Sequence, residues 1–591
     1  MRALPTARLL LVLVPIACVG LFGRVYYTPD EPREASLVVA MASQADKALP
    51  ELDGRPFAEK PPLLYWLGGA SVAALGATPA AARVPNLLYI LITALAMASL
   101  AARAAGGVAA FTAGVVAVTA LQVYQVLIWL ATDAPLVAGT ALALAGAHAG
   151  LTATARRPRL VGYLVFNAGL ALAFFAKGFA GWLVPVLAFL SVIVLERRWR
   201  ELFCPELWFG VPLVLAAIGA WVYAVDRLPA GREALKVMFW YNLVGRAITL
   251  DAPPEFSYAS GHRNSAAKYL LELPLYLLPW VALAIAATRR GLRRWRAAGA
   301  EGTAWRLAFG AIVPATIALS FAATARGVYY APVELGFVLL IGLYAGSAGA
   351  ALDRTDRACW RATGWLVAAL AVVLGGVAAL LAFAPAFRDA TGVALGVLAL
   401  AGTAAAVVLA LRPGPPGAGA VPSLAVATAL VLTVVVGPIE RSLNRWLSLE
   451  DFAGAIRAAA GQRPLIVLGA DETTIAMTTL YVPAAERALV LAEAPGAAAA
   501  ASAALAARGG AARIAWLVPD SPRWSAADWM GFLGYAAPRI EGPAPPLPAG
   551  LTGVSVRCVL TRPGGRTVAV LAPGGATDGT CAHAAGARET S

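Results

Sequence analysis

A polytopic α-helical membrane protein with a small C-terminal α/β domain is the fold class this sequence predicts, and three observations predict it. The chain of 591 residues is 60% hydrophobic and only 14% charged, with a mean hydropathy of +0.72, whereas soluble globular proteins usually carry about 25% charged residues. Predominantly apolar runs of about 18–22 residues recur, each long enough to cross roughly 30 Å of hydrocarbon at about 1.5 Å per helical residue. After Leu447 that pattern stops, and short β-like runs take its place.

The N-terminal MRALPTARLLLVLVPIACVGLF has the basic start and apolar middle of a signal peptide. Charged FGRVYYTPDE follows where a small-residue cleavage site is expected, so the segment is read as a retained first span, with a cleaved signal as the alternative. With Arg2 and Arg8 as cytoplasmic anchors, spans are expected near 9–25, 83–102, 107–128, 134–153, 160–176, 179–195 and 207–225. Further spans are expected near 269–287, 304–323, 329–349, 363–384, 390–411 and 421–440, about thirteen in all. The odd number places the C-terminus outside and the N-terminus in the cytoplasm. ARRPR (155–159), ERRWR (196–200), TRRGLRRWR (288–296) and DRTDRACWR (353–361) then all fall on the cytoplasmic side, as the positive-inside rule requires. The net charge of +14 is therefore read as a set of topology signals, not as a nucleic-acid-binding face.

Residues 1–440 thus form a membrane domain with a first extracytoplasmic loop at 26–82, and 447–591 a small extracytoplasmic α/β domain. In the latter, RPLIVLG, RIAWLVP, VSVRCVL and TVAVLAP are strand-like, and GAAAAASAALAARG is helical. VLGADETT reads as a strand followed by a turn of anion-binding type, a signal resting on one glycine. No CxxC or Cys/His zinc spacing exists among the five cysteines. Cys558 and Cys581, the two placed in the exported domain, are expected to form a disulfide.

The first loop carries the densest run of charge: TPDEPREASLVVAMASQADKALPELDGRPFAEKPPLLYW holds seven acidic and four basic side chains. Asp30 is read either as a helix N-cap, with SLVVAMASQ a short amphipathic helix on the membrane surface, or as part of a site. Arg33, Glu34, Glu59 and Lys60 share the loop, and Asp133 returns to the same face two spans later. A carboxylate beside several cations at a membrane surface suits transfer of a sugar linked through phosphate to a membrane lipid. The leaving phosphate needs Lys or Arg rather than a general acid, and one carboxylate suffices to activate or orient the incoming hydroxyl. A glycosidase would instead place two carboxylates about the scissile bond.

PDEPREA followed by P-x-L-x-G-x-x-x-x-EKPP-L-x-Y-W resembles the first extracytoplasmic loop of the aminoarabinose transferases, which belong with the protein O-mannosyltransferase-like membrane glycosyltransferases of the GT-C fold. TDAPL (132–136), FFAKGFAGWLVP (174–185), FWYNLVGRAI (239–248) with GHR (261–263), and ATARGVYYAPVELGFVLL (323–340) resemble later segments of that family, in the same order. The resemblance implies a GT-C glycosyltransferase with Asp30 and Asp133 as catalytic carboxylates. Arg33, Lys60, Arg326, Tyr329 and Lys177 would lie near the donor phosphate, and Glu59 and His262 would hold a divalent cation. Their plainer readings are a span cap for Asp133, snorkelling for Lys177, an interface anchor for Arg326 and a solvated loop residue for His262. Glu34 has the weaker claim among the first-loop acids.

The expected activity is transfer of a sugar, such as 4-amino-4-deoxy-L-arabinose, from an undecaprenyl-phosphate-type donor to lipid A or another envelope acceptor, at a bacterial inner membrane. Transfer to protein and a lipid-carrier flippase are the alternatives. Ala325 stands where the family often has Lys, KGF replaces KGP, and GHRNSAAKYLLELP lacks the family's proline-aromatic run. Sugar and acceptor are therefore left open.

Overall fold

The structure, a computed structural model, describes residues 4–27, 30–248, 265–347, 352–385, 388–412, 418–519, 546–562 and 566–574. Among them, nine helices are long and apolar enough to cross a membrane. Two of these, Pro79–Thr119 and Arg156–Glu196, are 41 residues long, about twice the roughly 20 that a span needs. Each is broken near its middle. Ala105 and Gly106 leave the helical region, Gly106 with φ +83°, and Gly178 turns at φ +63°; glycine takes such backbone without a Cβ clash. Divided there, and joined by Leu4–Leu21 and by the pair Lys268–Tyr276 and Val281–Arg294, which bends by 115°, the helices correspond to the thirteen expected segments. The first loop holds one more apolar helix, Leu63–Leu75, whose 13 residues are too few to span.

Small residues set how two central helices meet. Asp133–Thr152 and Arg156–Lys177 run back along each other with Gly139, Gly146 and Gly150 facing Gly169, Phe166 and Gly162. A Cβ at Gly146 would lie 2.2 Å from the Phe166 backbone nitrogen, so only glycine allows this approach, as in other small-residue membrane contacts. The antiparallel arrangement brings Asp133, at the start of one helix, to Lys177, at the end of the other.

The first loop is pinned from below by a buried ionic cluster. Glu31, fully buried, meets Arg83 at 3.0 Å and Arg24 at 3.4 Å. Its carboxylate also accepts from the Leu130 backbone N–H at 2.9 Å and from that of Tyr27 at 2.8 Å. Arg83 donates in turn to the carbonyls of Arg24 and Val25. Breaking such a buried pair from one side leaves uncompensated charge, at a cost of about 3 kcal/mol. Glu31→Gln, which keeps the shape and removes the charge, is therefore expected to lower the melting temperature of the detergent-solubilised protein by several degrees. A melt superimposable on that of the wild type would show that the cluster does not hold the loop.

In the first loop β1 (Glu51–Leu52) and β2 (Arg55–Pro56) form a small hairpin, and in the C-terminal part a five-stranded sheet follows Leu447. Its strands are β3 (Leu465–Ala470), β4 (Arg487–Ala492), β5 (Arg513–Leu517), β6 (Val554–Arg562) and β7 (Arg566–Pro573), in the order β4-β3-β5-β7-β6. β3 pairs in parallel with β4 and β5, with Val467 opposite Val490 and Ala515, and the other pairings are antiparallel. The helices Glu472–Tyr481 and Ala497–Ala506 make the two parallel crossovers. β4 was not among the expected strands, because its RALVLA suits a helix as well as a strand. Cys558 is disulfide-bonded, and Cys581, its expected partner, lies outside the described residues.

The helix Glu472–Tyr481 rests on the first loop. Leu480 and Tyr481 pack against a cluster that includes Tyr26, Val38 and Leu64, and Arg487 reaches Asp53 at 3.5 Å.

Candidate functional site

Sequence-distant charges converge where the first loop meets the ends of the membrane helices. The loop helix Asp30–Ser43 supplies Asp30, Arg33 and Glu34, which share one helical face because they are three and four residues apart. Arg326, just before the turn Gly327–Tyr330, donates Nη2–H to Asp30 Oδ2 at 2.5 Å. Asp30 Oδ1 also lies 3.8 Å from Arg33 Nη2. Burial works against the Arg326 cation, but Asp30 beside it, together with Tyr329 and Asp133, holds its pKa above the usual arginine value.

Glu34, with 1% of its side chain exposed, sits at the centre of the first-loop charges. It accepts from Arg33 Nη2 at 2.9 Å, from Lys60 Nζ at 3.1 Å and from the Tyr65 hydroxyl at 2.7 Å. Burial alone would push this carboxyl up, but Lys60, Arg33 and the hydrogen bonds outweigh it and hold the pKa down at about 2. Glu34, given the weaker claim from the sequence, thus contacts both Arg33 and Lys60. The signal that could have found it is its place four residues after Asp30 on the same helical face.

A second group adjoins the first. Lys177 pairs with Asp133 and lies 4.5 Å from the centroid of the Tyr329 ring, within cation–π range. The Tyr329 hydroxyl accepts from Arg246. Arg246 also donates to Asn242 Oδ1 at 2.8 Å and stands 3.9 Å from Glu59, while Asn242 Nδ2 donates to the Glu59 carbonyl at 2.9 Å. Asp30, Arg33, Lys60, Asp133, Lys177, Arg326, Tyr329 and Glu59 are therefore brought into one neighbourhood. Arg246, within the segment FWYNLVGRAI, was not singled out from the sequence, because an arginine closing an apolar stretch reads first as an interface anchor.

Glu59 and His262 are the pair expected to hold a divalent cation. His262 lies outside the described residues, Glu59 faces Arg246, and among the described residues no three metal-ligating side chains converge.

The turn in VLGADETT has another use. Asp471 caps the helix Glu472–Tyr481 through the Thr474 N–H at 2.8 Å and is gripped by Arg562 at 2.6 and 2.8 Å. The domain's own carboxylate thus occupies the expected anion position. The next residue, Glu472, crosses to the first loop and accepts from Arg33 Nη1 at 2.6 Å.

The family model described as dolichyl-phosphate-mannose-protein mannosyltransferase matches residues 59–223. An undecaprenyl phosphate-alpha-4-amino-4-deoxy-L-arabinose arabinosyl transferase of Edwardsiella ictaluri is 29% identical over 371 residues, covering 61% of this chain and 62% of the relative. A protein of the same name from Pseudomonas paraeruginosa is 28% identical over 429 residues, covering 70% of this chain and 72% of the relative. The crystal structure of ArnT from Cupriavidus metallidurans bound to undecaprenyl phosphate superposes with a TM-score of 0.68 at 18% identity, covering 96% of this chain and 98% of that one. The matched stretch thus spans a little under two thirds of the first of these relatives, while the fold likeness runs through nearly the whole chain. The chain is a multi-pass membrane protein of GT-C fold, similar over 61–70% of its length to these arabinosyl transferases.

Proposed function

We propose that this GT-C membrane protein transfers a sugar, 4-amino-4-deoxy-L-arabinose or a related one, from a polyprenyl-phosphate donor to an envelope acceptor such as lipid A. The reaction would occur on the outer face of a bacterial inner membrane, with the N-terminus cytoplasmic and the C-terminal domain exported. The observation that carries this reading is the convergence of Arg33, Lys60, Lys177 and Arg326 around Asp30 and Asp133, from four sequence-distant segments. A lipid phosphate is held at the membrane surface by its chain, so the groups that receive it must be built at the ends of spans.

In this reading the acceptor oxygen attacks the anomeric carbon as the bond from that carbon to the phosphate oxygen breaks. The electron pair leaves with the polyprenyl phosphate. Lys60, Arg33, Arg326 and Lys177 stabilise the charge that develops on the phosphate, and the Tyr329 hydroxyl borders it. Asp30 takes the proton of an acceptor hydroxyl; for an acceptor that is already an anionic phosphate, it orients the attacking oxygen. Asp133 keeps Lys177 in position. A flippase would need none of this chemistry at a span mouth, and transporters commonly gather their ionisable groups near the bilayer midplane.

The test is sugar transfer in sealed right-side-out membrane vesicles supplied with undecaprenyl-phosphate aminoarabinose and lipid A. Labelled sugar should move from the first lipid to the second only when the protein is present. Vesicles with abundant folded protein and no transfer to lipid A or to any envelope glycolipid or protein would refute the reading.

A further inference from the structure

Each cation of the site already holds a carboxylate. Arg326 holds Asp30, Lys60 holds Glu34, Lys177 holds Asp133, Arg246 holds Glu59, and Arg33 holds both Glu34 and Glu472. An incoming lipid phosphate must therefore take over positive charge from one of them. The carboxylates differ in how readily they can be released. Glu34 is 1% exposed, Asp133 10%, Glu59 17% and Asp30 25%, whereas Glu472 is 54% exposed. A buried carboxylate stripped of its cation is left uncompensated, while an exposed one is taken up by water at little cost.

Resting on the transferase reading above, we propose that Glu472 of the C-terminal domain is a stand-in for the donor's phosphate. It occupies Nη1 of Arg33 until an anionic lipid phosphate displaces it, and so sets the affinity for the donor. The geometry suits an exchange. Glu34 stays on Nη2 of Arg33 and keeps the guanidinium aimed, while the freed edge presents N–H groups to phosphate oxygens in the planar arrangement arginine offers. Swapping one carboxylate for one phosphodiester anion leaves the charge of the cluster unchanged. The swap does not require the domain to leave, because Leu480, Tyr481 and the Arg487–Asp53 pair hold the helix Glu472–Tyr481 on the first loop independently. The C-terminal domain is thereby part of the donor site.

The experiment titrates undecaprenyl phosphate into the full-length protein in nanodiscs, for the wild type, E472Q, E472A, R33Q and the R33Q/E472Q double variant, with thermal melts as the check on folding. Removing the competing carboxylate should tighten binding by about 2–5-fold in E472Q and E472A, the scale of an exposed ion pair. In the R33Q background the same change should have no effect. Unchanged or weaker binding by well-folded E472Q and E472A would overturn the proposal and make Glu472 a structural tie, as would equal tightening without Arg33. If the wild type itself binds no undecaprenyl phosphate, the donor reading falls and this inference falls with it.

Discussion

Replacing Asp30 by Asn is expected to cut sugar transfer by about 10²–10⁴-fold, the contribution of a positioned base, while the protein remains folded. Asn keeps the size of the side chain and caps a helix about as well as Asp, so a residue that merely started the loop helix would tolerate the change. In the structure Asp30 is the first residue of that helix and spends its carboxylate on Arg326 and Arg33. Removing the negative charge frees Arg326 for a phosphate. The loss should therefore fall on kcat, with donor affinity preserved or improved. Asp46→Asn, an exposed acid of the same loop whose carboxylate accepts from the Ala48 N–H, should transfer at the wild-type rate. Near-normal kcat for Asp30→Asn in a folded protein would sink the assigned mechanism and leave the fold untouched.

Lys60→Ala should lower transfer by about 10²–10³-fold, as expected when one donor to a developing anion is lost. The residue is held in place for this. Its Nζ lies 3.1 Å from Glu34, and the Pro61–Pro62 pair that follows starts the helix Leu63–Leu75, which carries Tyr65 back to the same carboxylate. Lys60→Arg should recover part of the activity, because the charge survives while the reach and shape change. Turnover of Lys60→Ala within a few-fold of wild type, measured at saturating donor, would remove Lys60 from the phosphate site.

What the sequence revealed depended on how far each signal reached along the chain. The spans were legible because each is a local apolar run, and even the two merged helices divide near glycines, Gly106 and Gly178, at expected span boundaries. Asp30, Arg33 and Lys60 were legible because a charged loop between apolar segments needs a reason to exist. Asp133 was drawn in by its return to the same face two spans later, whereas Lys177, Arg326 and Tyr329 were legible only through the family resemblance; singly, each passes for a span-end residue. Leu63–Leu75 and β4 were missed, the first too short to register as a span and the second built of residues that favour either element. Glu472 could not have been found from its surroundings. Its partner lies 439 residues away, and a glutamate opening a helix is fully accounted for by the helix dipole.

The pairing of each cation with a carboxylate also decides how a substrate arrives. Opposite charges a few ångströms apart cancel at a distance, so the site projects the short-ranged field of a set of dipoles, not that of a positive patch. Beyond a Debye length of about 8–10 Å little of it survives, and it gives a dissolved anion little steering from bulk water. A lipid-borne phosphate has no need of steering, because lateral diffusion in the leaflet delivers it to the mouth of the spans. Catalysis built this way is blind to soluble phosphates and nucleotides passing by, and it should respond more to the length of the donor's isoprenoid chain than to the salt in the medium.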